Sequence, residues 1–129
     1  MRATGVTVNV PVSDLDQAVA WYQRAFELGE PDQIPMEGMV EFNLGAVWLQ
    51  LDLLPSAALP DISLGDSIDG SGNDGVLVIL TVEDARAEHG RFTELGLVVS
   101  DIQHYEGVVD FFELTDLYGN SIGFVTELA

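Results

Sequence analysis

The side chains able to carry chemistry fall at alternating positions in a few short runs. Trp48, Gln50 and Asp52 alternate with Val47, Leu49 and Leu51, Glu41 and Asn43 with Val40, Phe42 and Leu44, and Phe111 and Glu113 with Phe112 and Leu114. A period of two sends successive side chains to opposite sides of a strand, so each run has one apolar face to pack and one polar or aromatic face. Thr7 and Asn9, from a valine-rich N-terminal run, join the second set. Aromatic rings among carboxylates and amides suit a small-molecule cavity: Trp48 or Phe111 stack on a flat group, and Glu41, Asp52 and Glu113 favour a cation. The candidate ligand-binding residues are therefore Asn9, Glu41, Trp48, Gln50, Asp52, Phe111 and Glu113. The competing reading is that the rings fill a collapsed core and the carboxylates are solvated strand faces.

Other chemistries find little support. With no cysteine, disulfides, thiolate metal sites and thiol nucleophiles are excluded. His89 sits between charged neighbours on an expected helix and reads as a solvated surface histidine. His104 precedes Tyr105 near Asp101 and Asp110 and reads as an edge-strand histidine, with a general base as the lesser alternative. Neither a serine elbow nor a phosphate-binding glycine loop occurs. Asp66, Asp69 and Asp74 invite a calcium reading but miss the EF-hand spacing and its terminal Glu.

Twenty-two acidic residues against 4 basic ones give a formal charge of −18, while 47% of the chain is hydrophobic. That is the balance of a packed body with an acidic surface, not of a disordered acidic segment. Such a surface repels phosphate backbones and anionic lipid, so nucleic-acid and membrane roles are disfavoured and a cationic ligand is favoured. No apolar run reaches the length of a membrane span, and nothing resembles a signal peptide, so the expected location is cytoplasmic.

The elements that would position these residues follow in order. Val6 to Val12 reads as a strand. A helix follows, with Ser13 as the expected N-cap, an apolar stripe of Leu15, Ala18, Val19, Tyr22 and Phe26, and an end at Gly29 and Pro31. The hairpin runs through Met39 to Asn43 and Val47 to Asp52 come next. Residues 55–75 are rich in Asp, Gly and Ser and lack periodicity, so they read as a mobile linker loop. The pattern then restarts: a strand over Val76 to Val82, a helix over Glu83 to Leu95 with Thr81 as a candidate cap, a strand over Leu97 to Tyr105 and a final hairpin turning at Asp116 to Asn120. The expected fold class is α+β, with a first module over 1–54 and a second over 76–129 in one compact domain. This internal repeat is the most informative global feature.

Val10-Pro11-Val12-Ser13-Asp14-Leu15 running into Ala20-Trp21-Tyr22, and Asp116-Leu117-Tyr118-Gly119-Asn120 running into Ile122, resemble the two ends of the vicinal-oxygen-chelate superfamily of glyoxalases, extradiol dioxygenases and fosfomycin and bleomycin resistance proteins. The resemblance implies two paired βαβββ modules forming a curved sheet around a cavity, often across a homodimer. Metal-dependent members take ligands from the first and last strands of each module, and the carry-over places these at Thr7, Gln50, Leu77 and Gly123. Leucine and glycine side chains offer no ligand atom, and a hydroxyl with one amide oxygen does not hold a divalent ion. The expectation is a metal-free, cofactor-free protein that sequesters a cationic or aromatic molecule such as an antibiotic. The alternative is a metal-independent isomerase or lyase using Glu113 or Asp52 as general base, and a third reading is an interaction module or degenerate subunit with a filled cavity.

Overall fold

A computed structural model describes residues 1–53 and 75–128 of the chain. Except for Gly75, the expected linker over 55–75, with Asp66, Asp69 and Asp74, lies outside the described residues. The chain divides into two compact units, Met1–Gly70 and Ser71–Ala129, and the fold is mixed α+β.

In the first unit, β1 (Thr7–Val12), α1 (Leu15–Phe26), β2 (Met39–Asn43) and β3 (Trp48–Leu53) follow one another. The sheet order is β1-β3-β2, with β1 parallel and β2 antiparallel to β3. A parallel pair needs a crossover, and α1 supplies it. Burial alternates along every strand: Val10, Val12, Val40, Phe42, Leu49 and Leu51 are buried on one side, where Ala18, Tyr22 and Ala25 of α1 are buried too. Residue 33 makes an isolated antiparallel bridge with Glu41, so the module's fourth strand is reduced to one rung beside β2. The N-cap is Asp14 and not Ser13. Asp14 has the extended backbone a cap requires, and its carboxylate accepts from the Gln17 N–H at 3.0 Å. The helix also stops earlier than Gly29, because Glu27 enters the left-handed region at φ 57° and closes it.

The second unit repeats this plan. β4 (Val78–Thr81), α2 (Ala85–Glu94), β5 (Val98–Val99), β6 (Gln103–Tyr105), β7 (Val109–Thr115) and β8 (Ser121–Glu127) form a sheet of order β4-β8-β7-β5, with β6 also paired to β7. β4 runs parallel to β8 as β1 does to β3. The strand expected over Leu97 to Tyr105 is two short pieces, because Ser100 turns its hydroxyl to accept the Glu113 N–H at 2.9 Å. α2 is capped by Asp84, whose carboxylate accepts from the Ala87 N–H at 3.0 Å, and not by Thr81. Phe92, Phe112 and Phe124 form the core, with Phe112 and Phe124 stacked at 5.2 Å and Phe92 set edge-on to both.

The β7–β8 hairpin is closed by Asp116, which is 7% exposed. Its carboxylate accepts from the Tyr118 N–H at 2.8 Å, the Asn120 N–H at 2.9 Å and the Asn120 side-chain amide at 2.9 Å, while Gly119 takes the positive φ of 85° that the turn requires.

Candidate functional site

On the first sheet the residues singled out by alternation lie on the face turned away from α1. Asn9 is opposite Gln50 across the parallel pair, and Glu41 is opposite Gln50 across the antiparallel pair, so the three form a row across the sheet. Trp48 is opposite Thr7 and Asn43. The Asn9 amide donates to the Asp52 carboxylate at 3.2 Å, Glu41 accepts from the Gln33 amide at 2.9 Å, and the Gln50 amide approaches the Met39 sulfur at 3.5 Å. Trp48, Gln50, Asp52 and Glu41 are half-buried and Asn9 is exposed. This gives one indole ring beside amides and carboxylates, several of them hydrogen-bonded to neighbours, on one face of the sheet.

On the second sheet Phe111 and Glu113 lie on the face turned away from α2. Glu113 is opposite Gly123, and its carboxylate accepts from the Ser121 hydroxyl at 3.0 Å. The second carboxylate oxygen accepts nothing among the described residues. The role of Ser121 in holding Glu113 becomes apparent from the register Thr115↔Ser121 and Glu113↔Gly123.

The metal-ligand positions implied by the resemblance can be tested sterically. Ile79 is opposite Gly123 across the parallel pair β4–β8. A Cβ built on Gly123 would lie 2.8 Å from Phe111 Cε1 and 3.2 Å from Ile79 Cγ1, so the space a ligating side chain would enter holds a ring edge and an alkyl group. Leu77, the third position, is 43% exposed and has no donor atom. The residues present at Leu77 and Gly123 do not fit a divalent ion.

A second polar cluster lies on the helix side of the same sheet. Asp110, 6% exposed, accepts from Arg86 of α2 at 2.9 and 3.2 Å and from His104 Nδ1 at 2.6 Å, and His104 Nε2 reaches Glu106 at 2.9 Å. A carboxylate faces each ring nitrogen, an arrangement that favours the protonated imidazole over the neutral one. Glu106, and then Asp110, raise the His104 pKa above the ordinary value, whereas Arg86, and then His104, lower that of Asp110. His104 sits on the edge segment β6, as expected, but is committed to an ion-paired network. His89 departs from the surface reading: its Nε2 meets the Ser100 carbonyl at 2.9 Å and its ring stands edge-on to Phe112 at 5.0 Å. The signal for this was the position of His89 three residues before Phe92 on one helix face.

The sequence profile of the Glyoxalase/Bleomycin resistance protein/Dioxygenase superfamily matches residues 6–124. The chain belongs to that family. No curated protein matches it. Among solved structures it is similar to TnmS3, an antibiotic binding protein from a Streptomyces species, with a TM-score of 0.69 and 22% identity over 98% of each chain. It is also similar to a glyoxalase/bleomycin resistance protein from Catenulispora acidiphila, at 0.68 and 23% identity over 96% of this chain and 98% of that one. A lactoylglutathione lyase from Agrobacterium tumefaciens gives 0.69 and 21% identity over 97% and 94%. At these identities the likeness establishes the fold. No helix among the described residues is long and apolar enough to cross a membrane.

Proposed function

We propose that the chain is a small-molecule binding protein that sequesters a cationic or flat aromatic ligand, such as an antibiotic, without a metal. The observation that carries this reading is the face of β1–β3–β2 turned away from α1, where half-buried Trp48 lies beside Gln50, Asp52, Asn9 and Glu41 and none of these side chains is used by the core. Charge supports the cationic half: the formal charge is −18, and Arg86 and Arg91, of the 4 basic residues, are each paired with a carboxylate. The metal-free part of the reading is supported by Gly123, which has no ligand atom and no room for a ligating side chain beside Phe111 and Ile79. The antibiotic-binding function of TnmS3 agrees with this reading.

Trp48 supplies the assay. In a Trp21→Phe protein Trp48 is the sole indole, and titration with a panel of cationic glycopeptide and planar aromatic antibiotics is expected to quench it with saturation. A flat response across the panel refutes the role. The Ser121 hydroxyl on the Glu113 carboxylate favours a second reading, a metal-independent isomerase or lyase with Glu113 as general base. Turnover that survives chelator and is abolished by Glu113→Gln would place this reading first.

A further inference from the structure

We propose that Gly123 is a specificity-determining residue: its missing side chain is the seat of the Phe111 ring, which makes the face of the second sheet turned away from α2 an aromatic platform for a planar cationic ligand, with Glu113 as its counter-charge. This deepens the binding reading above and rests on it. Three observations on separate strands meet here. Phe111 lies on β7 with Cε1 and Cζ at 2.8 and 3.2 Å from where a Cβ of Gly123 on β8 would stand, and Ile79 Cγ1 from β4 closes the third side at 3.2 Å. Real Cβ atoms essentially never come as close as the 2.8 Å to Phe111 Cε1, so the ring takes this position only over glycine. No positive φ is required at Gly123, in contrast to the turn glycines Gly107 and Gly119, so its selection is steric and not conformational. Although Gly123 is buried, Phe111 remains half-exposed.

The chemistry of the platform follows from its neighbours. Glu113 is on the same face two residues along β7 and opposite Gly123, and the Ser121 hydroxyl fixes one of its oxygens at 3.0 Å. The other oxygen accepts nothing among the described residues and points the pair toward a cation. A ring face favours a flat or cationic group, and the adjacent carboxylate discriminates against an anion. Phe111 at its seat and a ligating carboxylate or imidazole at position 123 exclude each other, so the residue that abolishes the metal ligand is also the one that admits the ring.

Ethidium, a planar aromatic cation, is the probe, titrated by calorimetry against the full chain and its Gly123→Ala, Phe111→Ala and double variants. The Ala methyl would meet the tip of a side chain and not backbone, so the ring moves and the far-ultraviolet dichroism is expected to stay unchanged. Gly123→Ala and Phe111→Ala are each expected to weaken ethidium about tenfold, in line with the worth of one aromatic contact. The double variant should be no weaker than Phe111→Ala, because Gly123 acts through the ring. Wild-type affinity in Gly123→Ala, or additive losses in the double variant, overturns the proposal. Methyl and aromatic NMR gives a readout that needs no ligand: Gly123→Ala should shift the signals of both the Phe111 ring and the Ile79 side chain. Unshifted signals refute the seat, whereas absent ethidium binding by wild type with both signals shifted refutes the ligand reading and leaves the seat standing.

Discussion

Asp116→Ala tests whether one buried carboxylate holds the hairpin that carries Phe111, Glu113, Ser121 and Gly123. The substitution removes the hydrogen bonds from the Tyr118 N–H, the Asn120 N–H and the Asn120 amide, at 2.8, 2.9 and 2.9 Å. A hydrogen bond contributes about 1 kcal/mol net, and up to about 3 kcal/mol where one partner is charged. Tyr118 and Asn120 are half-buried, so water replaces part of the loss. The expected destabilisation is about 3 kcal/mol, a large part of the roughly 5–15 kcal/mol that holds a domain together. With an m-value near 1.5 kcal/mol/M this moves the urea midpoint down by about 2 M at unchanged slope. Circular dichroism is the appropriate signal, because both indoles, Trp21 and Trp48, lie in the first unit. Asp116→Asn keeps an oxygen for the two backbone N–H groups and should cost about 1 kcal/mol. A loss below about 0.5 kcal/mol in Asp116→Ala, or equal losses in the two variants, refutes the reasoning.

The Asp110 cluster predicts a pH dependence with a fixed sign. His104 has a raised pKa when folded, so its contribution is complete below the ordinary imidazole value of 6.5 and is lost as pH rises through the raised value. Asp110 has a lowered pKa, so its contribution holds above the ordinary 3.8 and disappears as pH falls through the lowered value. Urea midpoints from neutral into mildly alkaline pH should fall in the wild type and flatten in His104→Gln, and an identical slope in the two proteins would contradict the ion-paired assignment. Phe112→Ala removes a fully buried ring stacked on Phe124 and edge-on to Phe92 and His89, and should cost about 3–5 kcal/mol by denaturant titration, with a cost under about 1.5 kcal/mol arguing against that core.

Strand faces were the most legible part of the chain, because a period of two admits one assignment once the apolar partner of each pair is buried. Trp48 and Leu49, or Glu113 and Leu114, leave no choice. The caps were less legible, since Ser13 and Asp14 both carry an acceptor and only backbone angles decide which reaches the third N–H along. His89 illustrates a different limit: its ring orientation depends on where β5 breaks, and Ser100 makes that break by bonding a strand to which it is not adjacent in sequence. Gly123 shows the sharpest contrast. Its type rules out a metal ligand from sequence alone, but the ring that uses the vacated space comes from a neighbouring strand and is set by cross-strand register.

In both units the first of the described strands pairs in parallel with the last of them, which orders events during folding. Asn9 and Asp52 are 43 residues apart, and Val82 and Thr126 are 44 apart, so neither module can form its outer ladder until its final strand has been synthesised. Loop closure must precede the gain from pairing, which slows folding relative to a chain of local hairpins. While β8 is absent, the apolar run Val76 to Leu80 has no strand to complete it, and such runs are the segments through which nascent chains associate. The net charge of −18 then acts before any ligand is present, as a repulsion that keeps unfinished chains apart.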